Sequence, residues 1–395
     1  NFSEKEIQMG ILSNTVSICQ FRVVGDIPAT ELFEWASASL RKHAFRSIDQ
    51  GMDELSTGWV HAGNNQENGF SVPADFWHDH YLSFALRQDR RRVPASLLKA
   101  YQQVAEHEFL AANPGYAKVP KQKREELRQA VHGRLLARTL PVPTVHDVVW
   151  DSATGVLTLT ALSRGVVEAF EALFRKTFPG LRLTAVHPFA RAEHVVDGGL
   201  KSALAAANRA TSDNALDLIV SNRWLGWDFL LWVMYRTLNG TGEYRLCRPG
   251  PDEQGRAFTA YINDRLVLRG TGDSIQKVTV AGPQDRFSEV RTALGQGKVI
   301  NEAALYFEKG DDLWKMTLKG EMFHFASFRS PKVKEERDNT VDRASEMESL
   351  FFERMALLEA GLQLFDSLFA AFLTLRLSAA WTGEMAKVDE WLAGE

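Results

Sequence analysis

Two β-branched runs, one ending in Val148-Val149-Trp150 and the other spanning Val156 to Leu162, are separated only by Asp151, Ser152, Ala153, Thr154 and Gly155. So short a polar break is a hairpin signal, and strands joined this way pair antiparallel because no crossover helix fits between them. An amphipathic stretch, GVVEAFEALFRKTFPG (165–180), follows and is closed by Pro179 and Gly180. The same grammar returns later. AFTAYINDRLVLRG (257–270) reads as a hairpin turning at Asn263-Asp264, and VINEAALYFEKGDDLWKMTLKG (299–320) as one turning at Gly310-Asp311. A helical segment at about 286–296 lies between them. Hairpins that alternate with helices exclude both an all-helical bundle and a strict βαβ repeat, so the expected class is α+β with mixed sheets.

The remaining segments fit that class. TVSICQFRVVG (15–25) predicts a strand, and PATELFEWASASLRKHAF (28–45) a helix with Pro28 at its first position. HYLSFALRQDRRRVP (80–94) reads as a strand running into a basic turn. The pattern is then helical from Pro94 to about Ala112, stops at Asn113-Pro114-Gly115, and resumes from Pro120 to about Thr139, which gives two consecutive helices without an intervening strand. The run from Arg343 to Leu377 predicts a long terminal helix.

A chain of 395 residues, 45% hydrophobic and 24% charged, can bury sizeable cores and suggests two or three domains. Cys19 and Cys247 are its only cysteines, too few for a disulfide framework, so a reducing, cytosolic setting is expected. Charged residues at Glu4, Lys5, Glu6, Arg22 and Asp26 interrupt any signal-peptide core. The most apolar run, WLGWDFLLWVMYRTL (224–238), falls short of the roughly 20 residues a membrane span needs. No membrane association is therefore expected.

Against a net charge of −4, the stretch KVPKQKREELRQAVHGRLLARTLP (118–141) carries seven Lys and Arg and two Glu. At about 100° per residue, Lys121, Arg124, Arg128, Arg134 and Arg138 fall in one half of a helical wheel, and Glu125 and Glu126 in the other. Lys118 and Lys123 extend the patch, and Arg87, Arg90, Arg91 and Arg92 form a second cluster at a strand end. One reading is a solvated surface helix whose cationic stems cover apolar neighbours such as Leu127 and Leu135. The other is a phosphate-binding surface, which needs a concentrated local field and not a positive total.

Catalytic signatures are incomplete. Trp77-His78-Asp79-His80 offers two histidines that would share a face of a strand, without a third ligand nearby. Gly295-Gln296-Gly297-Lys298-Val299 resembles the end of a phosphate loop, yet Thr292 and Val299 stand where it requires Gly and Ser or Thr. Pro251-Asp252 lacks the downstream acidic-x-Lys of a restriction-type nuclease, and neither G-x-S-x-G nor H-E-x-x-H occurs. No catalytic residue, metal or cofactor is assigned, and the chain is not expected to be an enzyme.

Six pieces, in order, carry a family resemblance: TGWV (57–60), RRVPASLLKAYQQVAE (91–106), KQKREELRQAVHGRLLARTLP (121–141), VVWDSATGVLTLTALS (148–163), EVRTALGQGKVINEAALYF (289–307) and the tail from Glu346 to about Leu375. Together they resemble the bacterial recombination-associated RdgC family. The resemblance implies a horseshoe-shaped protomer, two of which close into a ring around duplex DNA. It also implies sequence-independent binding that limits the access of the RecA recombinase, and hence a cytoplasmic, nucleoid-associated protein. On that pattern residues 1–90 with 140–190 form a central α+β domain, 91–139 a projecting helical tip, and 191–395 a second α+β base domain with C-terminal helices.

Arg138 matches the arginine at the end of the family's corresponding helix, and Leu140 becomes a candidate contact between protomers, with core packing as its alternative. Lys277 lies near the family's basic segment, although residues 282–285 make that match loose. Between about 190 and 256 the Trp-rich segment has no family counterpart; Trp224, Trp227 and Trp232 read as core or dimer interface in preference to a base-stacking platform. Two other functions stay open. One is a metal-dependent nuclease using His78 and His80, and the other is a protein-interaction module built on the Trp-rich segment and terminal helix.

Overall fold

The computed structural model describes residues 10–28, 31–51, 53–271, 276–282, 287–333 and 343–394. Glu4, Lys5 and Glu6, and the Ala29-Thr30 step of the first expected helix, lie outside the described residues. Eleven α-helices and thirteen strands lie among them, with a large sheet built on antiparallel pairing, so the class is α+β. Contacts divide the chain into two compact units. One comprises Asn1–Asp26, Val149–Glu171 and Gly180–Glu395, and the other Ile27–Val148 and Ala172–Pro179.

In the first unit the strand order is Lys277–Val280, Ala257–Gly270, Lys298–Lys309, Asp312–Lys319, His324–Arg329, Thr15–Val24, Val156–Leu159. Alternation along these strands separates a core face from an open one. On Asp312–Lys319, Trp314, Met316 and Leu318 are buried while Leu313, Lys315, Thr317 and Lys319 are not. The hairpin expected at Gly310-Asp311 is present, with Gly310 at a positive φ of 61°.

The turn expected at Asn263-Asp264 is not formed. Ala257–Gly270 runs through as one strand paired along Lys298–Lys309, with the register shifting between Ala303 and Leu305. Asp264 takes a φ of 62°, so the left-handed preference of Asn-Asp, read as a reversal, is spent on two extra residues within the strand.

The core face receives the Trp-rich helix Trp224–Asn239, in which Trp224, Phe229, Leu230, Trp232 and Val233 are buried. Phe229 sits among Phe323, Phe365, Phe369 and Phe372, with ring centroids 5.2 to 6.1 Å away. Gly226 permits this docking, because a Cβ there would lie 2.2 Å from the carbonyl oxygen of Gly320. The Trp-rich helix is thus core. Most of those rings come from Arg343–Arg376, a helix with a stretch long and apolar enough to cross a membrane but largely buried inside this unit. Arg191, itself buried, ties helix to strand through Asp366 at 2.5 Å and Gln20 at 2.8 Å.

The second unit holds the strands Leu55–His61 and Tyr81–Arg90, residues 142–148 of Val142–Asp151, and the helices Leu32–Lys42, Ala95–Ala112 and Lys121–Leu136. Gly58, in the TGWV motif, is required by a close approach: a Cβ would lie 2.3 Å from Cα of Phe45. The buried Trp59 donates its indole N–H to Thr177 at 2.7 Å. After Asp151 the chain turns as expected, and the Asp151 carboxylate accepts from the backbone N–H groups of Ala153 and Thr154 before Val156–Leu159 begins.

Candidate nucleic-acid interface

Two helices in the second unit carry the basic stretch. Lys121–Leu136 packs on Ala95–Ala112 through a small core of Val93, Ala105, Val131, Leu135 and Leu136, with Leu98 and Leu127 at its edge. That core spends the apolar positions of the basic helix, leaving its cations outside. The helix starts after Pro120 with no side-chain cap and no acidic residue in its first turn. Its free N–H groups therefore add to the field of the lysines around them.

The cations divide by their partners. Lys123 pairs with Glu126 at 2.9 Å, Arg128 with Glu125 at 3.4 Å, and Arg124 reaches across to Glu106 of the preceding helix at 3.3 Å. The two glutamates are thus not segregated from the basic face; three-residue spacing lets each neutralise a neighbour. Lys118, Lys121, Arg134 and Arg138 are exposed and make no ion pair among the described residues.

The arginine cluster at the strand end is split by alternation. Arg90 and Arg92 are exposed and make no ion pair among the described residues. Arg87 turns inward, where it grips Asp89 at 2.8 Å through two nitrogens and lies 4.3 Å over the ring of Phe45. Arg91 is only 4% exposed, and its guanidinium donates to the carbonyls of Gly51, Ile48 and Asp49. The expectation of four outward arginines is corrected accordingly: two face solvent, and two hold the loop and strand that support them. Lys277 is exposed on its strand in the first unit, so the expected contacts fall in both units.

Leu140 is 79% exposed, which rules out core packing within this chain, and nearby Val142 is also exposed. The exposed face of Ala95–Ala112 adds Leu97, Tyr101 and Val104, whose spacing gave the sequence reading a signal that it did not use. His78 and His80 do not lie on one strand face. His78 pairs with Tyr81 across a two-residue turn made by Asp79 and His80, and His80 Nδ1 lies 2.6 Å from the Asp79 carboxylate. Among the described residues no group of three or more His, Cys, Asp or Glu side chains is placed to hold a metal ion.

A family model described as "Putative exonuclease, RdgC" matches residues 19–214. The matched segment includes both helices, the arginine cluster and Leu140; it also covers 190–214, which corrects the expectation that the stretch from about 190 has no counterpart, while the similar pieces beyond residue 256 lie outside it. No curated protein matches the chain.

Proposed function

Because this chain belongs to the RdgC family through residues 19–214, a recombination-associated family, we propose that it is a non-catalytic, sequence-independent binder of duplex DNA. Two protomers close into a ring around the duplex, and the bound ring modulates RecA-dependent recombination on nucleoid DNA in the cytoplasm. One observation supports the reading most. Six cations of the second unit, Arg90, Arg92, Lys118, Lys121, Arg134 and Arg138, are exposed without a carboxylate partner among the described residues. Unpaired surface cations carry no desolvated partner to break when phosphate arrives, and each phosphate neutralised releases counterions. Such contacts position a protein on a duplex without reading its sequence.

The words of the family description favour a second reading, an exonuclease. Incubating end-labelled duplex with the protein in Mg²⁺ and then in Mn²⁺ separates the two. The DNA-binding reading expects a retarded band and intact strands. Progressive shortening from the ends that tracks the protein through purification would favour the exonuclease, and no retardation at low salt would remove the binding reading.

A further inference from the structure

The helix Pro188–Val195 in the first unit is started by a titratable residue. His187 stands at its N-cap, only 2% exposed, and its ring Nδ1 accepts the backbone N–H of Ala190 at 3.4 Å. The usual cap residues offer an oxygen that remains an acceptor at any pH near neutral. An imidazole accepts at Nδ1 only while it is neutral.

The helix acts as a clamp. Its buried Arg191 donates to Asp366 of Arg343–Arg376 at 2.5 Å and to Gln20 of Thr15–Val24 at 2.8 Å. The guanidinium also lies 5.1 Å from the ring of Phe365 and 5.2 Å from that of Phe325. The Arg191 N–H is bonded to the His187 carbonyl at 2.9 Å, so the capped turn sets where the arginine stands.

The charges around the helix are few. His194, on its exposed side, faces Arg22, Arg191, Arg248 and Asp366, and Glu193 faces Asp213. On the other helices packed against it, Asp217 is held by Thr211, Ser212 and Ser221, Asp228 by Arg376 and Arg236 by Glu384, while Lys201 is exposed. Burial lowers the pKa of His187 from the ordinary 6.5 with no charge contributing among the described residues. Partial burial and then the arginines lower that of His194, against the pull of Asp366. Glu193 works in the opposite sense: burial and Asp213 raise its pKa, so its protonation favours the folded helix.

We propose that Pro188–Val195 is an acid-sensitive latch: neutral His187 keeps the helix closed on the first strand and the long terminal helix, and protonation of His187 and His194 releases it while the sheet stays folded. A protonated His187 loses its acceptor and sets a positive charge against a helix N-terminus that is itself positive. A protonated His194 adds a cation to three arginines. Both histidines take a proton more readily when the helix is open, so closure is fully favoured above about pH 6.5 and weakens as pH falls below it.

Hydrogen–deuterium exchange of the full chain, corrected for the intrinsic rate at each pH, tests the latch. Between pH 7.5 and 5.5 the amides of 190–196 should lose at least about threefold in protection relative to those of 303–307, with a ceiling of about tenfold for each histidine. His187→Asn keeps a cap acceptor that does not titrate. It should match wild type at pH 7.5 and lose less at pH 5.5, and adding His194→Gln should abolish the loss. Unchanged relative protection in wild type between the two pH values overturns the latch. So does a full wild-type loss in the double variant or, should His187→Asn not fold, in His194→Gln, whose exposed side chain the fold does not need; that loss would place the acid sensitivity on Asp366 and its neighbours.

Discussion

A single position decides whether an arginine in the strand-end cluster serves the fold or the surface. Arg91 and Arg92 are neighbours in sequence, yet the first donates to three carbonyls from a buried site and the second stands in solvent. Arg91→Ala should cost about 1–3 kcal/mol, because buried carbonyls lose their donors, and thermal denaturation should show it. Arg92→Ala should leave stability within about 0.5 kcal/mol while weakening duplex binding. His324 supplies a pH dependence at the same scale: burial, then the nearby Lys319, push its pKa down to about 4 from the ordinary 6.5. Between those values the unfolded chain binds a proton that the folded one refuses, so stability should fall as pH drops from about 6.5 to about 4. One such proton contributes a slope of at most about 1.4 kcal/mol per pH unit. Urea titrations across that window should show a shallower slope for His324→Gln, and an unchanged slope would mean that other groups carry the acid sensitivity.

Elements show how far the sequence was legible. Paired strands at 142–159 and 298–319 and the two helices after Pro94 were readable because period, turn residues and length agree there. Ala257–Gly270 was misread because Asn263-Asp264 satisfies the local rule for a turn, and only pairing along the whole of Lys298–Lys309 shows that the chain does not reverse. The split of the four arginines was present in the strand's two-residue period; the pairing of Arg124 with Glu106 was not, since it depends on how two helices meet. Asp264→Ala should destabilise by about 1–3 kcal/mol, by removing the acceptor of Tyr306 and Lys315 and leaving a Cβ in the left-handed region without a polar side chain to compensate. Asp264→Gly should recover part of that loss, and chemical denaturation of the two variants would show a reversed order if backbone conformation did not matter. In the basic helix, Arg124→Gln and Arg128→Gln should weaken duplex binding less than Lys121→Gln, because their charge is already offset by glutamates. Equal losses in titrations at one salt concentration would mean that those pairs open on DNA.

At the scale of the whole molecule, the proposal of a closed ring makes the oligomeric state testable, since closure needs two contacts between protomers. Light scattering at micromolar concentration should give a homodimer. Leu140→Asp, at an apolar residue that is 79% exposed, should weaken one contact and leave each protomer folded. The central claim is that exposed, unpaired cations bind phosphate without regard to sequence. Its most direct test is the salt dependence of binding to two duplexes of unrelated sequence, for wild type and for the double variant Lys121→Glu with Arg134→Glu. The account predicts equal wild-type affinity for both duplexes and a loss of the same factor on both in the variant. Its plot of log affinity against log salt should be flatter by about 1.8, from about 0.9 for each of two contacts. A folded double variant that keeps wild-type affinity and slope, or loses affinity on only one of the duplexes, would contradict it.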